Sequence, residues 1–299
     1  MKLSVIVLNY RQPQMTIDCV KQLVKNIDNC SAQVEIILLD NGSNDGSIEI
    51  IANELKSLPH DNIIFLQSPN NLGYAAGNNV CIAKASGDWL FLLNNDTIFS
   101  STFLNEMVQL IAKYPDAAAI GPKIYDCAEP SKPWFTGGSL SKYFNPLSLA
   151  RDYTNYTQVD WLTGCALLIN RRAIDEIGML NEDYFAYLED VEWCMRANQV
   201  KAPLIYSPFS RLQHIGSVTT KSQFTSAFGI YYGYRNKLFM ISKYAHGQQK
   251  VLSIVVAASG ILFRIFESAI KGKFENAKAY YFALVDGLLY RPVKRFLRV

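Results

Sequence analysis

A chain of 299 residues with 49% apolar content can bury one large core, or one and a half domains, and is too apolar to remain disordered. Its formal charge of +3 gives no argument for a nucleic-acid partner. Six scattered cysteines with no Cys-x-x-Cys pair read as small buried hydrophobes of a reducing compartment, not as a disulfide framework.

The run Met1 to Leu8 is too short for a signal peptide and ends in Asn9-Tyr10-Arg11, so it reads as a first strand. Strands are expected at Ser4–Leu8, Val34–Leu39, Ile63–Leu66, Trp89–Leu93 and Ala117–Ile120, each apolar on both faces as buried parallel strands are. Helical spacing fills the gaps at Gln14–Asn26, Ser47–Leu58, Gly77–Ala85 and Ser101–Lys113. This alternation predicts an α/β fold with right-handed crossovers. Pro130–Pro146 reads as a loop over the sheet, Trp161–Ile169 as a further strand, Arg172–Ile177 as a helix closed by Gly178, and Asp190–Asn198 as helical. Beyond Ser222 long aromatic-rich helices are expected, including Val251–Phe266, broken at Ser259-Gly260, and Ala277–Leu289.

Ligands of an open parallel sheet bind beyond the carboxyl ends of its strands. Four polar clusters fall there: Asn9-Tyr10, Asp40 to Ser47, Asn70 to Asn79, and Asn94-Asn95-Asp96. An acid flanked by amides behind Trp89–Leu93 suits a hard divalent cation bridging two phosphates. Neither G-x-G-x-x-G nor G-x-x-x-x-G-K-[ST] opens a helix, which disfavours a dinucleotide fold and a P-loop.

Ser4 to Tyr10, Leu39 to Ser47, Asn71 to Asn79, Leu93 to Thr97, Asp160 to Cys165, Leu180 to Phe185, Glu189 to Arg196 and His214 to Ser217 follow one another in an order that resembles family 2 inverting glycosyltransferases. The likeness covers about residues 3–220. It implies a GT-A fold, a Rossmann-like and mostly parallel sheet with helices on both faces. Residues 1–220 would form the catalytic domain and 221–299 a helical extension. Tyr231 to Asn236 resembles a segment of bacterial rhamnosyltransferases in this family.

The resemblance implies a role for each motif. Nucleotide contacts fall to Asn9, Tyr10, Asp40, Asn71, Gly73, Asn78 and Asn95, with the Asp40 carboxylate accepting from a pyrimidine imide. Mn2+ or Mg2+ would be held by Asp96, Asn94 and His214, Asn94 standing where the family often has an Asp. Asp190 would be the general base, with Glu189 beside it and Asp183 as the fallback. Trp161, Thr163, Gly164 and Arg235 would meet the acceptor, either a glycan or a saccharide on a polyprenyl diphosphate. dTDP-rhamnose is the favoured donor over a UDP-linked hexose, N-acetylhexosamine or galactofuranose. A non-catalytic nucleotide-sugar-binding protein on the same fold is the rival reading.

The longest apolar stretch, Val251–Phe263, spans about 13 residues, fewer than the roughly 20 of a membrane-crossing helix. With the basic residues Lys271, Lys273, Lys278, Arg291, Lys294, Arg295 and Arg298 around it, the C-terminal third is expected to lie on a membrane surface or against a second copy of the chain. The protein is accordingly expected in the cytoplasm, peripheral at the inner face of the cell membrane.

Overall fold

The computed structural model describes residues 1–56, 58, 62–148, 153–216 and 225–297. Its first half is four parallel strands: β1 (Lys2–Asn9), β2 (Gln33–Asn41), β3 (Ile63–Ser68) and β4 (Trp89–Leu93), in the order β3-β2-β1-β4. β1, β2 and β4 are buried on both faces, as their unbroken apolar runs require. β3 departs from expectation. It is the sheet edge, paired only with β2 among the described residues, and Ile64 and Phe65 are each 38% exposed. The crossover helices are α1 (Pro13–Ile27), α2 (Ser47–Leu55) and α3 (Gly73–Lys84). Pro13 starts α1, where its missing N–H costs no helical bond, and Ile17, Val20, Leu23 and Val24 form its buried stripe.

After β4 the chain makes the short β5 (Thr97–Phe99) and α4 (Phe103–Lys113). The other half of the sheet comprises β6 (Ala119–Asp126), β7 (Glu129–Phe135), β10 (Thr157–Gln158), β11 (Ala166–Asn170) and β12 (Leu204–His214); β8 (Gly138–Leu140) and β9 (Pro146–Ser148) pair separately. The main order is β10-β12-β6-β11-β4-β1-β2-β3. β12 runs parallel to β6, and β11 enters antiparallel between β4 and β6. The segment expected as a loop at 130–146 is therefore largely strand, since β7 folds back on β6. The strand expected from Trp161 begins only at Ala166, because Trp161 turns aside to bridge Gly138.

The helix α5 (Arg171–Ile177) ends on Gly178, whose φ of +89° suits glycine at that cap. A short 3-10 turn (Glu182–Tyr184) leads to α6 (Glu189–Gln199). The chain then forms α7 (Ala227–Tyr244), α8 (Gly247–Ile270) and α9 (Phe274–Leu288). The expected domain boundary at 220/221 lies outside the described residues. Tyr184, Phe185 and Val191 pack with Tyr231, Tyr232, Phe239, Tyr280 and Ala283 in a core of their own.

One expectation needs correction. α8 runs unbroken through Ser259-Gly260, at a cost of only about 1 kcal/mol for an interior glycine. At 24 residues, with a mean hydropathy of 1.8 over an 18-residue stretch, it is long and apolar enough to cross a membrane by length and composition. The small residues Ser253, Ala257 and Ser268, with Ile261, face the protein, while Val251, Val255, Phe263, Phe266 and Ile270 face outward.

Candidate active site

The carboxyl ends of the central strands are tied together before any ligand is considered. Asn9 Nδ2 donates to Asp40 Oδ1 at 2.7 Å, and Ser43 Oγ donates to the same oxygen at 2.5 Å. Asn9 Oδ1 accepts from Thr16 Oγ1, whose oxygen accepts in turn from Asn95 Nδ2, both at 2.9 Å. β1, β2, α1 and the turn after β4 are thus linked through four side chains. Asn9 is fully buried and is not among the residues lining the neighbouring cleft; its amide orients Asp40. Asp40 opens instead on a small depression beside Asp45, Ser47 and Gln67, where Oδ2 accepts only a 3.3 Å bond from the Ser43 N–H.

Next to this framework lies a cleft of about 280 Å3. Tyr10, Asn71, Gly73, Asn78, Asn94, Asn95, Asp96 and His214, all singled out in the sequence, line this one cleft. Gly73 begins α3 four residues before the predicted start, because Asn41 and Asn71 accept the N–H groups of Leu72 and Gly73. Its φ is +85°, and a Cβ there would sit 2.4 Å from the Phe185 carbonyl oxygen. Asn78 is consequently a buried helical residue bonded to the Tyr74 carbonyl.

A second cavity of about 440 Å3 holds Trp161, Thr163, Gly164, Glu189 and Asp190. Tyr74, Asn94, Ala186, His214 and Phe228 line both spaces, which therefore adjoin along one wall. Of these shared residues only Asn94 and His214 were singled out from sequence. Trp134, from the segment expected as a loop, stacks on the His214 ring at 5.0 Å. Tyr74 OH donates to the Gly164 carbonyl at 2.5 Å. The aromatic density of 130–146 was the signal for Trp134, and the Leu72-Gly73-Tyr74 motif for Tyr74.

On the shared wall His214 Nε2 stands 3.1 Å from Asp96 Oδ1. The contact is an ion-pair approach without directed hydrogen-bond geometry, and Oδ1, though buried, takes no hydrogen bond among the described residues. A buried carboxylate oxygen facing an imidazole nitrogen, with neither lone pair directed at a donor, fits a shared divalent cation. Among the described residues no three His, Cys, Asp or Glu side chains gather closely enough to hold a metal unaided. Two protein ligands leave most positions to phosphate oxygens and water, as magnesium or manganese at a diphosphate requires. Burial would lower the His214 imidazole, but the Cys165 sulfur and the Asp96 carboxylate more than offset it and hold the metal-free ring up at about 11, so a cation bound here would displace the proton on Nε2.

The acidic pair at the start of α6 divides chemically. Asp190 Oδ2 accepts from the Gly164 N–H and Oδ1 from the Val191 N–H, each at 2.7 Å. Burial raises its pKa, and those two donors oppose the rise. Glu189 is also buried, but its Oε2 has no partner, and burial together with the Asp190 charge pushes it well above the ordinary carboxyl range. Asp190 is thus the member whose carboxylate form has backbone donors, and Glu189 the one whose proton is held more tightly. Arg235 is not at this site. It is fully buried in α7, with its guanidinium bonded to the Val293, Asp183 and Tyr184 carbonyls and to Asn236, and packed among Tyr231, Tyr232 and Phe239. Its guanidinium is taken up by internal carbonyls and does not reach the acceptor as expected.

A family model described as glycosyl transferase family 2 matches residues 4–178. The chain belongs to that family. The matched span holds Asp40 and Asn94-Asn95-Asp96, and it ends before Glu189, Asp190 and His214. Among curated relatives, the N-acetylglucosaminyl-diphospho-decaprenol L-rhamnosyltransferase of Mycobacterium tuberculosis is 27% identical over 208 residues, 60% of this chain and 66% of the relative, so the chain spans just under two thirds of that protein's length. The low-salt glycan biosynthesis hexosyltransferase Agl10 of Haloferax volcanii is 26% identical over 309 residues, covering 98% of this chain and 92% of the relative. Solved structures of similar fold include a mannosyltransferase from Pyrobaculum calidifontis in complex with GDP-Man and Mn2+, with a TM-score of 0.61 at 11% identity over 97% of this chain and 87% of that one. GalNAc-T7 with UDP, GalNAc and Mn2+ aligns with a TM-score of 0.64 at 14% identity, over 97% of this chain and 57% of that one. The fold of this family member is accordingly GT-A.

Proposed function

We propose that the protein is a metal-dependent inverting transferase that moves a sugar from a nucleotide-diphosphate donor to a glycan or lipid-linked acceptor. The observation that carries this reading is the unsatisfied Asp96 Oδ1 facing His214 on the wall shared by two cavities, the second of which contains Asp190. The cleft at Tyr10, Asn71, Asn95 and Asp96 would take the nucleotide diphosphate, with Asp40 accepting from the base. Asp96 and His214, assisted by Asn94, would hold Mn2+ or Mg2+. When bound, the ion neutralises charge that develops on the leaving diphosphate.

Asp190 accepts the proton of the acceptor hydroxyl as that oxygen forms its bond to the anomeric carbon. The bond from that carbon to the diphosphate oxygen breaks on the opposite face, which inverts the configuration. The N–H groups of Gly164 and Val191 fix the carboxylate's orientation, and each of its oxygens keeps a second lone pair for the proton. A protonated Glu189 carries an O–H to offer to an acceptor oxygen. Trp134, Phe135 and Trp161 supply aromatic walls suited to sugar C–H faces.

Rhamnose from dTDP-rhamnose is the favoured donor, supported by the mycobacterial relative being an L-rhamnosyltransferase. The Arg235 segment no longer adds to it, since that side chain reaches no cavity. UDP-linked sugars are the alternative, and GalNAc-T7 with UDP shares the fold. The outward apolar face of α8, with Lys250, Arg264 and Lys271 on the same helix or at its end, supports residence on an anionic membrane and hence a lipid-linked acceptor. Calorimetry with dTDP and with UDP, each with and without Mn2+, tests the donor half. Binding of one nucleotide that needs the metal supports the reading, and binding of neither would sink it.

A further inference from the structure

The side-chain amide of Asn236 donates to the loop leading into Glu189-Asp190. Its Nδ2 lies 2.8 Å from the Tyr184 carbonyl oxygen, 2.8 Å from that of Ala186 and 2.7 Å from that of Tyr187. Arg235 Nη2 adds the Asp183 carbonyl at 2.7 Å and a second bond to Tyr184 at 3.1 Å. Arg235 Nε donates to Asn236 Oδ1 at 2.9 Å, which locks the amide with its nitrogen toward the loop. Both side chains are completely buried. The loop itself is strained: Phe185, Tyr187 and Leu188 all have left-handed φ, at +58°, +67° and +67°. Backbone of this kind persists only where the surroundings over-determine it.

The loop also joins the two cavities. Phe185 and Ala186 line the first, while Ala186, Tyr187 and Leu188 line the second. On its far side the Phe185 carbonyl accepts from the Tyr74 N–H at 2.6 Å, fixing it to the start of α3. Leu188 then caps α6, so the backbone path through 183–188 sets where the Asp190 carboxylate stands.

We propose that Arg235 and Asn236 are positioning residues for the transfer step, clamping the strained 183–188 loop so that Asp190 is presented at the junction of the two cavities. The inference rests on the glycosyl-transfer reading for its kinetic consequence, and on geometry alone for the clamp. The polar pair thereby makes the C-terminal helices part of the catalytic unit. Arg235 Nη1 and Tyr231 OH both donate to the Val293 carbonyl, at 2.8 and 2.9 Å, so the segment after α9 braces the same clamp.

The test uses the full chain with Asn236→Leu, which keeps size and removes the donors, and Arg235→Lys, which keeps the charge and removes the fork. Hydrogen–deuterium exchange should rise at least tenfold over Tyr184–Val191 and at Gly164 in both variants, with the Trp89–Leu93 peptide still protected. Affinity for UDP or dTDP with Mn2+ should stay within threefold, and turnover of the matching nucleotide sugar should fall at least tenfold with its KM within threefold. Unchanged exchange over 184–191, wild-type behaviour of Arg235→Lys, or equal loosening of β4 would each overturn the clamp. If Asn236→Leu does not fold, Arg235→Lys decides by the same measurements. Wild-type protein that binds neither nucleotide would sink the donor reading, while the exchange pattern would still judge the clamp.

Discussion

His214 meets Asp96 at 3.1 Å because the antiparallel register of β5 on β12 sets Thr97 opposite His214. The Ile215 N–H donates to the Asp96 carbonyl at 2.8 Å and fixes the same crossing point from the backbone. A strand of three residues thus brings the two candidate ligands together from distant parts of the chain.

If that crossing holds a cation, Asp96→Asn and His214→Ala should each weaken Mn2+-dependent nucleotide binding by tenfold or more, on the order of 1.4 kcal/mol. Metal-free nucleotide binding should change little. Calorimetry reads both, and variants that bind nucleotide and Mn2+ as the wild type does would remove these residues from the metal site.

Asp190→Asn should reduce turnover by roughly 10²- to 10⁴-fold, the usual contribution of a general base, while nucleotide affinity is retained. Asp183→Asn is the control, since its carbonyl rather than its carboxylate meets the Arg235 clamp. A larger loss in the control than in Asp190→Asn would reassign the base.

The raised Glu189 pKa has a signed consequence for stability. Above 4.5 the unfolded chain releases this proton while the native protein keeps it, so stability falls as pH rises toward the native pKa. Glu189→Gln removes that loss. The Tm advantage of the variant over wild type should therefore grow as pH rises from 4.5 toward the native pKa. A constant difference across that range would show that Glu189 ionises normally.

The outward face of α8 should bind lipid. Replacing Phe263, Phe266 and Ile270 together by Ser should lower association with vesicles containing anionic lipid at least tenfold, since burying one such side chain contributes about 1.5–3 kcal/mol. Flotation with anionic and with neutral vesicles measures it. Equal flotation of variant and wild type would leave a second copy of the chain as the better occupant.

The parallel half of the fold was legible because its strands are unbroken apolar runs and its turns are rich in Asn, Asp and Gly. The cleft residues from Tyr10 to Asp96 followed from the same pattern. Arg235 was misread for a physical reason: an arginine beside aromatic residues looks the same in sequence whether its partners are phosphates or backbone carbonyls. The length of α8 was underestimated because Ser259-Gly260 resembles a break, although one glycine in a long helix is tolerated. Trp134 lay hidden in a Pro-rich stretch whose strand pairing depends on β6, a partner that local composition does not reveal.

The place of β11 between β4 and β6 has a consequence for synthesis on the ribosome. β1 to β4 are complete once Leu93 has emerged, yet the free edge of Trp-Leu-Phe-Leu-Leu pairs only with Ala166–Asn170. Until then the nascent chain carries an open strand edge, apolar on both faces, of the kind that pairs readily with other chains. Stalling between those two points leaves that edge uncovered, so the yield of soluble protein depends on how quickly translation passes from Asn94 to Asn170.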